Sequence, residues 1–277
     1  MLLTIIHLAI SLSLSVFFGY LLYVNVGPWY SLIAVAFIIP VFYVLYLITL
    51  LLLYLTSLIL KRMKAPERPS RFFYYFLREN DILLSIIARV KILLTGEELI
   101  PQNQRYLIVT NHRSNFDQIV MIRALKDHPM VYVSKPENFR VPIMGAYIRA
   151  AGFIPINRDS PIEGAKSIHQ AIDIIKEDAA SVAICPEGTR NKTREPLLPF
   201  HPGSFQIAMQ SHCPIVIASI NGANQVHKRF PWRSTKVRFS IIETLYPEDY
   251  AGKNSREIAN YATELIQKQL DKEGLIL

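Results

Sequence analysis

The sequence predicts an α/β domain with a mixed or mostly parallel sheet flanked by helices, preceded by a two-helix transmembrane hairpin. From residue 105 onward, short runs rich in β-branched residues alternate with helical patterns, which is typical of such a sheet. The first 60 residues contain no Asp, Glu, Lys or Arg, so the chain's 30 basic and 22 acidic residues all follow them. The chain of 277 residues therefore divides into a lipid-facing part and a water-facing part.

Residues 1–24 and 29–60 are two apolar runs, separated by a short turn that contains Gly27 and Pro28. A helix needs about 20 apolar residues to cross a bilayer, so the first run predicts one crossing and the second is longer than one crossing requires. The second run must tilt, bend near Pro40 or leave part of its length at the interface. A cleaved signal peptide is the alternative for residues 1–24, but no basic residue precedes that run and a second apolar run follows at once.

The second apolar run is followed directly by Lys61, Arg62 and Lys64. Because basic residues stay on the cytoplasmic side, we expect an integral membrane protein whose N-terminus and large domain are both cytoplasmic. Residues 61–94 then mix aromatic and basic side chains, which predicts an interfacial linker with a helix over 69–94 along the headgroup layer. A buried linker helix explains the same residues.

Residues 95–277 form the predicted cytoplasmic domain. Its strands are predicted at 106–110, 130–134, 153–156, 182–185, 215–220 and 237–244. Its helices are predicted at 117–126, 141–151, 161–180, 204–210 and 255–272. The helix that starts at Pro161 has a clear beginning, because Ser160 can cap it and Glu163 can complete a capping box.

The net charge of +8 belongs entirely to the water-facing part. A basic domain tethered to a bilayer fits anionic lipid headgroups or phosphorylated substrates. Nucleic acid is not the expected partner, because the sequence has no recognition helix, zinc module or aromatic-studded basic sheet. Cys185 and Cys213 lie in apolar runs without metal-ligand spacing, so we expect two small buried side chains in a reducing compartment.

His112 and Asp117 directly follow the predicted strand 106–110. A neutral imidazole is a suitable general base near pH 7, and a carboxylate on its other nitrogen fixes the tautomer and stabilises the imidazolium. On one continuous helix the two side chains would diverge by roughly 140 degrees. They meet only if His112 lies in a loop and Asp117 in the first helical turn. Surface or helix-capping roles are the alternatives for this spacing.

Arginines follow two further predicted strands. Arg158 comes after the strand 153–156, and its planar guanidinium suits a phosphate in bidentate fashion. A surface salt bridge is the alternative. Because sites in α/β folds gather where strands end, we expect His112, Arg158 and Glu187 to converge at one edge of the sheet.

The segment 186–190, Pro-Glu-Gly-Thr-Arg, follows the strand 182–185. Gly188 lets the backbone approach a ligand, Thr189 offers a hydroxyl and an amide, and Arg190 supplies a second guanidinium. Glu187 suits the orientation of an arginine or the backbone better than the role of base. A simple turn is the alternative for the whole segment.

Four blocks occur in order along the chain: Asn111-His-x4-Asp117, Gly152-Phe-Ile-x3-Arg158, Pro186-Glu-Gly-Thr-Arg190 and Cys213-Pro-Ile-Val216. In this order and at these intervals, over about residues 95–245, they resemble the glycerolipid acyltransferase family, specifically the 1-acyl-sn-glycerol-3-phosphate acyltransferases. The resemblance implies that His112 is the catalytic base and Asp117 its partner. It also implies that glycerol phosphate is bound by Arg158, Glu187, Gly188, Thr189 and Arg190.

Two positions depart from the family pattern. His201 stands where the family often has a lysine, which puts part of the phosphate contact in question. Ile217 stands where a second proline is common, which leaves the shape of the acyl pocket open there.

The function implied by the resemblance is transfer of a fatty acyl chain to the sn-2 hydroxyl of 1-acyl-glycerol 3-phosphate (lysophosphatidic acid), giving phosphatidic acid. The expected co-substrate is a thioester of coenzyme A or of acyl carrier protein, with no metal, no other cofactor and no covalent acyl-enzyme. Membrane lipids are the expected partners. Alternatives are another acceptor, such as glycerol 3-phosphate or a different lysophospholipid, and a non-catalytic membrane lipid-binding protein.

Overall fold

A computed structural model describes residues 2–27 and 31–276. These residues fall into two compact units, Met1–Lys64 and Ala65–Leu277. Charged side chains are absent from residues 1–60 and abundant afterwards, so the composition of the first unit suits lipid and that of the second suits water. Each unit is described by itself below.

The first unit consists of helices α1 (Leu2–Asn25) and α2 (Ser31–Arg62), which contact each other. Within the described residues, Ile39–Arg62 is the one helical stretch long and apolar enough to cross a membrane. Within α1 the stretch Ala9–Asn25 is apolar but shorter, so among the described residues one of the two predicted spans meets that criterion. Pro40 lies inside α2, and Pro28, in the predicted turn, lies outside the described residues.

The second unit begins with helix α3 (Arg71–Ile87). Ser70 caps it by accepting a hydrogen bond from the backbone N–H of Phe73. Its buried side includes Tyr74 and Leu77, and the ring of Phe76 stacks on Tyr147. The helix is therefore amphipathic, with one side packed into the domain as the alternative interpretation held and the other side exposed.

The predicted helix over 69–94 is wrong at its C-terminal end, because Val90–Thr95 forms strand β1. Arg89 has a φ of 55°, a left-handed conformation that stops a helix. The following residues alternate between buried and exposed, as expected of an edge strand. Only long-range pairing with the last strand of the sheet stabilises this segment as β structure.

Seven strands form one sheet in the order β1-β7-β6-β2-β5-β3-β4. Every neighbouring pair is parallel except β6 and β7, which confirms the predicted mostly parallel sheet. The three central strands, β2, β5 and β6, are buried along their whole length. The remaining strand bounds are β2 Leu107–Thr110, β3 Met130–Ser134, β4 Ile154–Pro155, β5 Ser181–Ile184, β6 Ile215–Asn221 and β7 Thr235–Leu245.

Helices cover both faces of the sheet. Helices α3, α4 and α5 pack together on one face, and α6, α7 and α9 pack against β5, β6 and each other on the opposite face. The apolar residues of α6, α7 and α9 and the central strands form one continuous core. The bounds are α4 Phe116–Ala124, α5 Met144–Ala150, α6 Pro161–Lys176, α7 Gln206–Ser211, α8 Val226–Arg229 and α9 Ser255–Glu273.

Two predicted helices are shorter than expected because other local structure replaces their first turns. A 3-10 turn at Pro136–Arg140 and the following Pro142 delay α5 until Met144. A second 3-10 turn, Pro202–Phe205, precedes α7. At α6, Ser160 caps the backbone of Glu163 as predicted, but the Glu163 carboxylate accepts from Asn157 and so does not complete the capping box.

Candidate active site

His112 and Asp117 meet at the junction between β2 and α4. Strand β2 ends at Thr110, the residues that follow form a loop, and α4 begins at Phe116, so Asp117 lies in the first helical turn. The Nδ1 atom of His112 lies 2.9 Å from Oδ2 of Asp117. This is the loop-to-helix arrangement that the spacing of the two residues requires.

Asp117 is buried, and its Oδ2 atom accepts further hydrogen bonds from the backbone N–H groups of Arg113 and Ser114, both at 2.8 Å. Because this oxygen serves only as an acceptor, the Nδ1 atom of His112 is the donor in their contact. The neutral imidazole then keeps its lone pair on Nε2, as a general base needs.

The backbone of His112 is held as firmly as its ring. Its N–H donates to Oε1 of Glu187 at 2.6 Å, and its carbonyl accepts from the N–H of Asn191 at 2.7 Å. The other Glu187 oxygen accepts from the N–H of Leu198 at 2.9 Å. Glu187 is 3% exposed, and burial raises the pKa of its carboxyl to about 7.

Asn111 secures the same loop from the opposite side. Its buried side-chain amide donates to the carbonyl of Ile220 at 2.9 Å and accepts from the N–H of Ile220 at 2.8 Å. The loop that carries His112 is thereby tied to β6 as well as to the segment after β5. Sequence reasoning placed Asn111 in a motif without giving it this role.

His112 lines a cavity of about 410 Å³ at the carboxyl ends of β2, β3 and β5. Arg158, Gly188, Thr189 and Arg190 also line it, so the structure brings together five of the seven predicted site residues. Asp117 and Glu187 lie behind the wall and contact the loop that carries His112. Apolar side chains form much of the remaining wall: Leu77, Leu84, Ile119, Met121, Val133, Val141, Met144, Ile148 and Phe153.

Four cationic side chains line this cavity: Arg158, Arg190, Lys135 and Lys192. The two lysines were not predicted as site residues, because Lys135 precedes a turn and Lys192 lies in a mixed polar loop. Lys135 donates to the hydroxyl of Thr189 at 3.2 Å. Within residues 2–27 and 31–276, neither Arg158 nor Arg190 has a carboxylate partner. Unneutralised cations beside a cavity favour an anionic ligand.

Gly188 is required where Arg158 approaches the segment after β5. Its φ is +77°, and a Cβ atom there would lie 2.8 Å from Nη1 of Arg158 and 2.9 Å from the imidazole of His201. Any side chain at this position would displace the guanidinium or the imidazole. His201 therefore lies beside the cation cluster, although it does not line the cavity itself.

Cys185 also lines the cavity, and Cys213 is buried in the core. Desolvation raises the pKa of Cys185 to about 12, so its thiol is protonated at neutral pH and is a poor nucleophile. In the described part of the chain, no group of three or more His, Cys, Asp or Glu side chains is placed to hold a metal ion.

Comparison with known proteins gives this arrangement a context. Residues 91–221, from the second residue of β1 to the end of β6, match the sequence profile of the family described as Acyltransferase. A 1-acyl-sn-glycerol-3-phosphate acyltransferase of Haemophilus influenzae is 30% identical over 184 residues, which cover 64% of this chain and 76% of that protein. The enzyme of the same description from Saccharomyces cerevisiae is 28% identical over 163 residues, and the match spans 51% of its length.

The fold also has a solved counterpart. The crystal structure of the 1-acyl-sn-glycerophosphate (LPA) acyltransferase PlsC from Thermotoga maritima superposes with a TM-score of 0.59, covering 74% of this chain and 80% of that one. At 20% identity this likeness establishes the shared fold. The Haemophilus relative, together with the family profile, places the chain in the glycerolipid acyltransferase family, and the protein is an acyltransferase.

Proposed function

We propose that this enzyme transfers a fatty acyl chain from an acyl thioester to the sn-2 hydroxyl of 1-acyl-glycerol 3-phosphate, giving phosphatidic acid. The relatives from Haemophilus and yeast are described as 1-acyl-sn-glycerol-3-phosphate acyltransferases. The observation that carries the proposal is one cavity lined by His112, by four cationic side chains and by an apolar wall. A base, a phosphate site and a surface for an acyl chain are the three features that this reaction requires.

The proposed reaction is a direct transfer. Nε2 of His112 takes the proton of the acceptor hydroxyl, and the oxygen attacks the thioester carbonyl carbon. The tetrahedral intermediate collapses to the new ester, and the imidazolium returns its proton to the departing thiolate. Asp117 stabilises the imidazolium in between, through the 2.9 Å contact with Nδ1. No acyl-enzyme and no metal or other cofactor enters this scheme.

The acceptor phosphate is assigned to the cations of the cavity. Arg158 and Arg190 offer planar forks of donors that match phosphate oxygens, and Lys135 and Lys192 add point charges. Thr189 supports Lys135 through its hydroxyl and offers its own backbone to the ligand. Glu187 is assigned a positioning role instead of substrate contact, because both of its oxygens are occupied by backbone N–H groups.

The proposed membrane arrangement is a hairpin of residues 1–60 with both ends in the cytoplasm. Ile39–Arg62 supports one crossing, and Lys61, Arg62 and Lys64 support a cytoplasmic C-terminal end. Residues 61–94 would then connect the bilayer to a catalytic domain over 95–277. Membrane attachment suits an enzyme whose acceptor and product are both lipids.

The test is an acceptor and donor panel with the purified full chain. Lysophosphatidic acid, glycerol 3-phosphate and lysophosphatidylcholine are each offered with an acyl thioester of coenzyme A or of acyl carrier protein. We expect transfer to lysophosphatidic acid and its loss in His112→Ala. His169→Ala, on the exposed side of α6, is the matched control and retains activity. Brisk transfer to another acceptor with none to lysophosphatidic acid would refute the substrate assignment.

A further inference from the structure

We propose that the surface formed by residues 227–233 and the C-terminal turn of α3 inserts into the headgroup layer of an anionic lipid bilayer. We call it the 227–233 surface. The inference rests on the proposed membrane attachment and extends it to a second contact, far along the sequence from the apolar N-terminus. None of residues 227–233 lines the catalytic cavity, and in the last turn of α3 neither Ile86 nor Ile87 does.

The 227–233 surface exposes large apolar side chains to solvent. Trp232 is 84% exposed and Phe230 is 45% exposed, while Ile87, at the end of α3, is 53% exposed. Exposed apolar patches of this kind mark contacts with a partner or a membrane. Tryptophan in particular favours the boundary between headgroups and acyl chains, where its ring is half in an apolar and half in a polar medium.

The two segments of this surface are joined by Arg89. Its Nη1 atom donates to the backbone carbonyl of Trp232 at 3.1 Å and to that of Pro231 at 3.4 Å. Its own carbonyl accepts from the N–H of Thr235 at 3.1 Å. The aromatic residues are therefore held beside the last turn of α3, and the two sets of apolar side chains form one surface.

Basic residues surround the apolar tip. Lys228, Arg229 and Arg233 are all exposed, and Arg89 and Lys91 follow α3. Residues 84–91 and 227–233 contain no Asp or Glu. A Lys or Arg held near an anionic leaflet contributes about 1 kcal/mol to binding, and its aliphatic stem can lie along the apolar layer. An apolar centre with a purely cationic rim matches a bilayer better than a protein partner, and α2 already suits a membrane.

The experiment uses the depth of Trp232 in reconstituted full-length protein. The chain has two tryptophans, so Trp29→Phe leaves Trp232 as the sole tryptophan, which is excited selectively over tyrosine at the red edge of the absorption band. This variant is reconstituted into vesicles of phosphatidylcholine and phosphatidylglycerol in equal parts. Quenching is compared between acrylamide in the water and a nitroxide on the lipid headgroup. We expect a blue-shifted emission and strong quenching by the lipid nitroxide. We also expect much weaker quenching by acrylamide than in a free peptide of residues 226–236 dissolved in water without detergent.

The matched control places a tryptophan on the opposite face of the sheet. Ile162→Trp, combined with Trp29→Phe and Trp232→Phe, puts the fluorophore at a site on α6 where the native side chain is 73% exposed. We expect this tryptophan to be quenched by acrylamide and spared by the lipid nitroxide. Retained acyltransferase activity shows that each variant is folded.

Three outcomes overturn the inference, and one of them also overturns the proposed membrane attachment. If Trp232 behaves like the control at position 162 while the protein floats with vesicles, membrane attachment stands and the 227–233 surface does not insert. If Trp232 is shielded from both quenchers, a protein contact covers it instead. If the protein does not float with vesicles at all, the proposed membrane attachment fails together with this inference.

Discussion

On one side of the cavity, His112 is fixed through its ring, its N–H and its carbonyl, whereas Arg158 on the other side has no such partner among the described residues. The carboxylates that hold the histidine are buried, whereas Arg158 as a whole residue is exposed, although partial burial of its guanidinium lowers the pKa of that group. A base must be aligned before the substrate arrives, because its proton transfer depends on geometry. A phosphate can bring the cations into place by its own charge, so their order can follow binding.

The largest expected effect comes from removing the fixed base. His112→Ala should lower kcat by about 10² to 10⁴-fold or more, because no other group in the cavity replaces an aligned general base. Binding of lysophosphatidic acid, measured by calorimetry or by flotation with labelled lipid, should persist because the cations remain. A variant that keeps its acyltransferase activity would show that His112 is not the general base.

Removing the carboxylate that supports the base should lower kcat by a smaller factor. In Glu187→Gln, an amide replaces one carboxylate oxygen, so its N–H groups face the N–H of His112 or of Leu198. We expect kcat to fall about 10- to 100-fold through displacement of the loop, while KM for the acceptor stays nearly constant. Steady-state kinetics over a range of acceptor concentrations separates the two constants.

Glu195→Gln makes the same chemical change at an exposed carboxylate in the neighbouring loop and is the matched control. It should leave both constants unchanged. An increase in the acceptor KM of Glu187→Gln, without a fall in kcat, would instead support direct substrate binding by Glu187.

Much of the fold was predictable because its signals are local. Six strands and the start of α6 follow from β-branched runs and a capping serine, and the order of strand, loop and helix brings His112 to Asp117. Strand β1 was missed, because Val90–Thr95 continues an amphipathic pattern and becomes a strand only by pairing with β7. Pairing across the whole domain leaves no trace in a short window of sequence.

The site was predictable to the extent that its residues follow strands. Arg158 and Arg190 converge with His112 because β2, β4 and β5 run in the same direction. Lys135 and Lys192 lie in turns whose direction depends on tertiary packing, so spacing alone did not identify them. The burial of Glu187 likewise follows from the packing of two separate loops around it.

Removing one of the cations of the cavity should change KM for the acceptor instead of kcat. Arg158→Ala should raise KM for lysophosphatidic acid about tenfold, the loss of one charge-assisted hydrogen bond, and should change kcat little. The comparison becomes sharper with monoacylglycerol, an acceptor without phosphate, for which the variant and the wild type should behave alike. Arg194→Ala, an exposed arginine that does not line the cavity, is the control.

An unchanged KM in Arg158→Ala would place the phosphate elsewhere in the cavity. The same measurement on Arg190→Ala and Lys192→Ala then shows which cation holds it. An equal loss with phosphorylated and unphosphorylated acceptors would mean that Arg158 supports the fold of the segment around Gly188.

A last expected effect concerns stability instead of kinetics: a pH dependence that arises from the buried carboxyl group supporting the base. Burial raises the pKa of Glu187 from 4.5 to about 7, so the folded protein holds this proton more tightly than the unfolded chain. Its contribution to stability is therefore complete below about pH 4.5 and is lost as the pH rises to about 7, a change on the order of 3 kcal/mol. Thermal unfolding in detergent should show a Tm that falls by several degrees across this window in the wild type, and by less in Glu187→Gln.

Glu195→Gln, whose carboxylate is exposed, should show the same dependence of Tm on pH as the wild type. Asp81, whose pKa burial also raises to about 7, contributes a slope of the same sign, so the double variant with Asp81→Asn should have the flattest profile. If Tm changed with pH equally in all four proteins, the two N–H donors would stabilise the Glu187 carboxylate as fully as water does. Burial of the Glu187 carboxylate, which positions the loop of His112, would then not lower the free energy of unfolding.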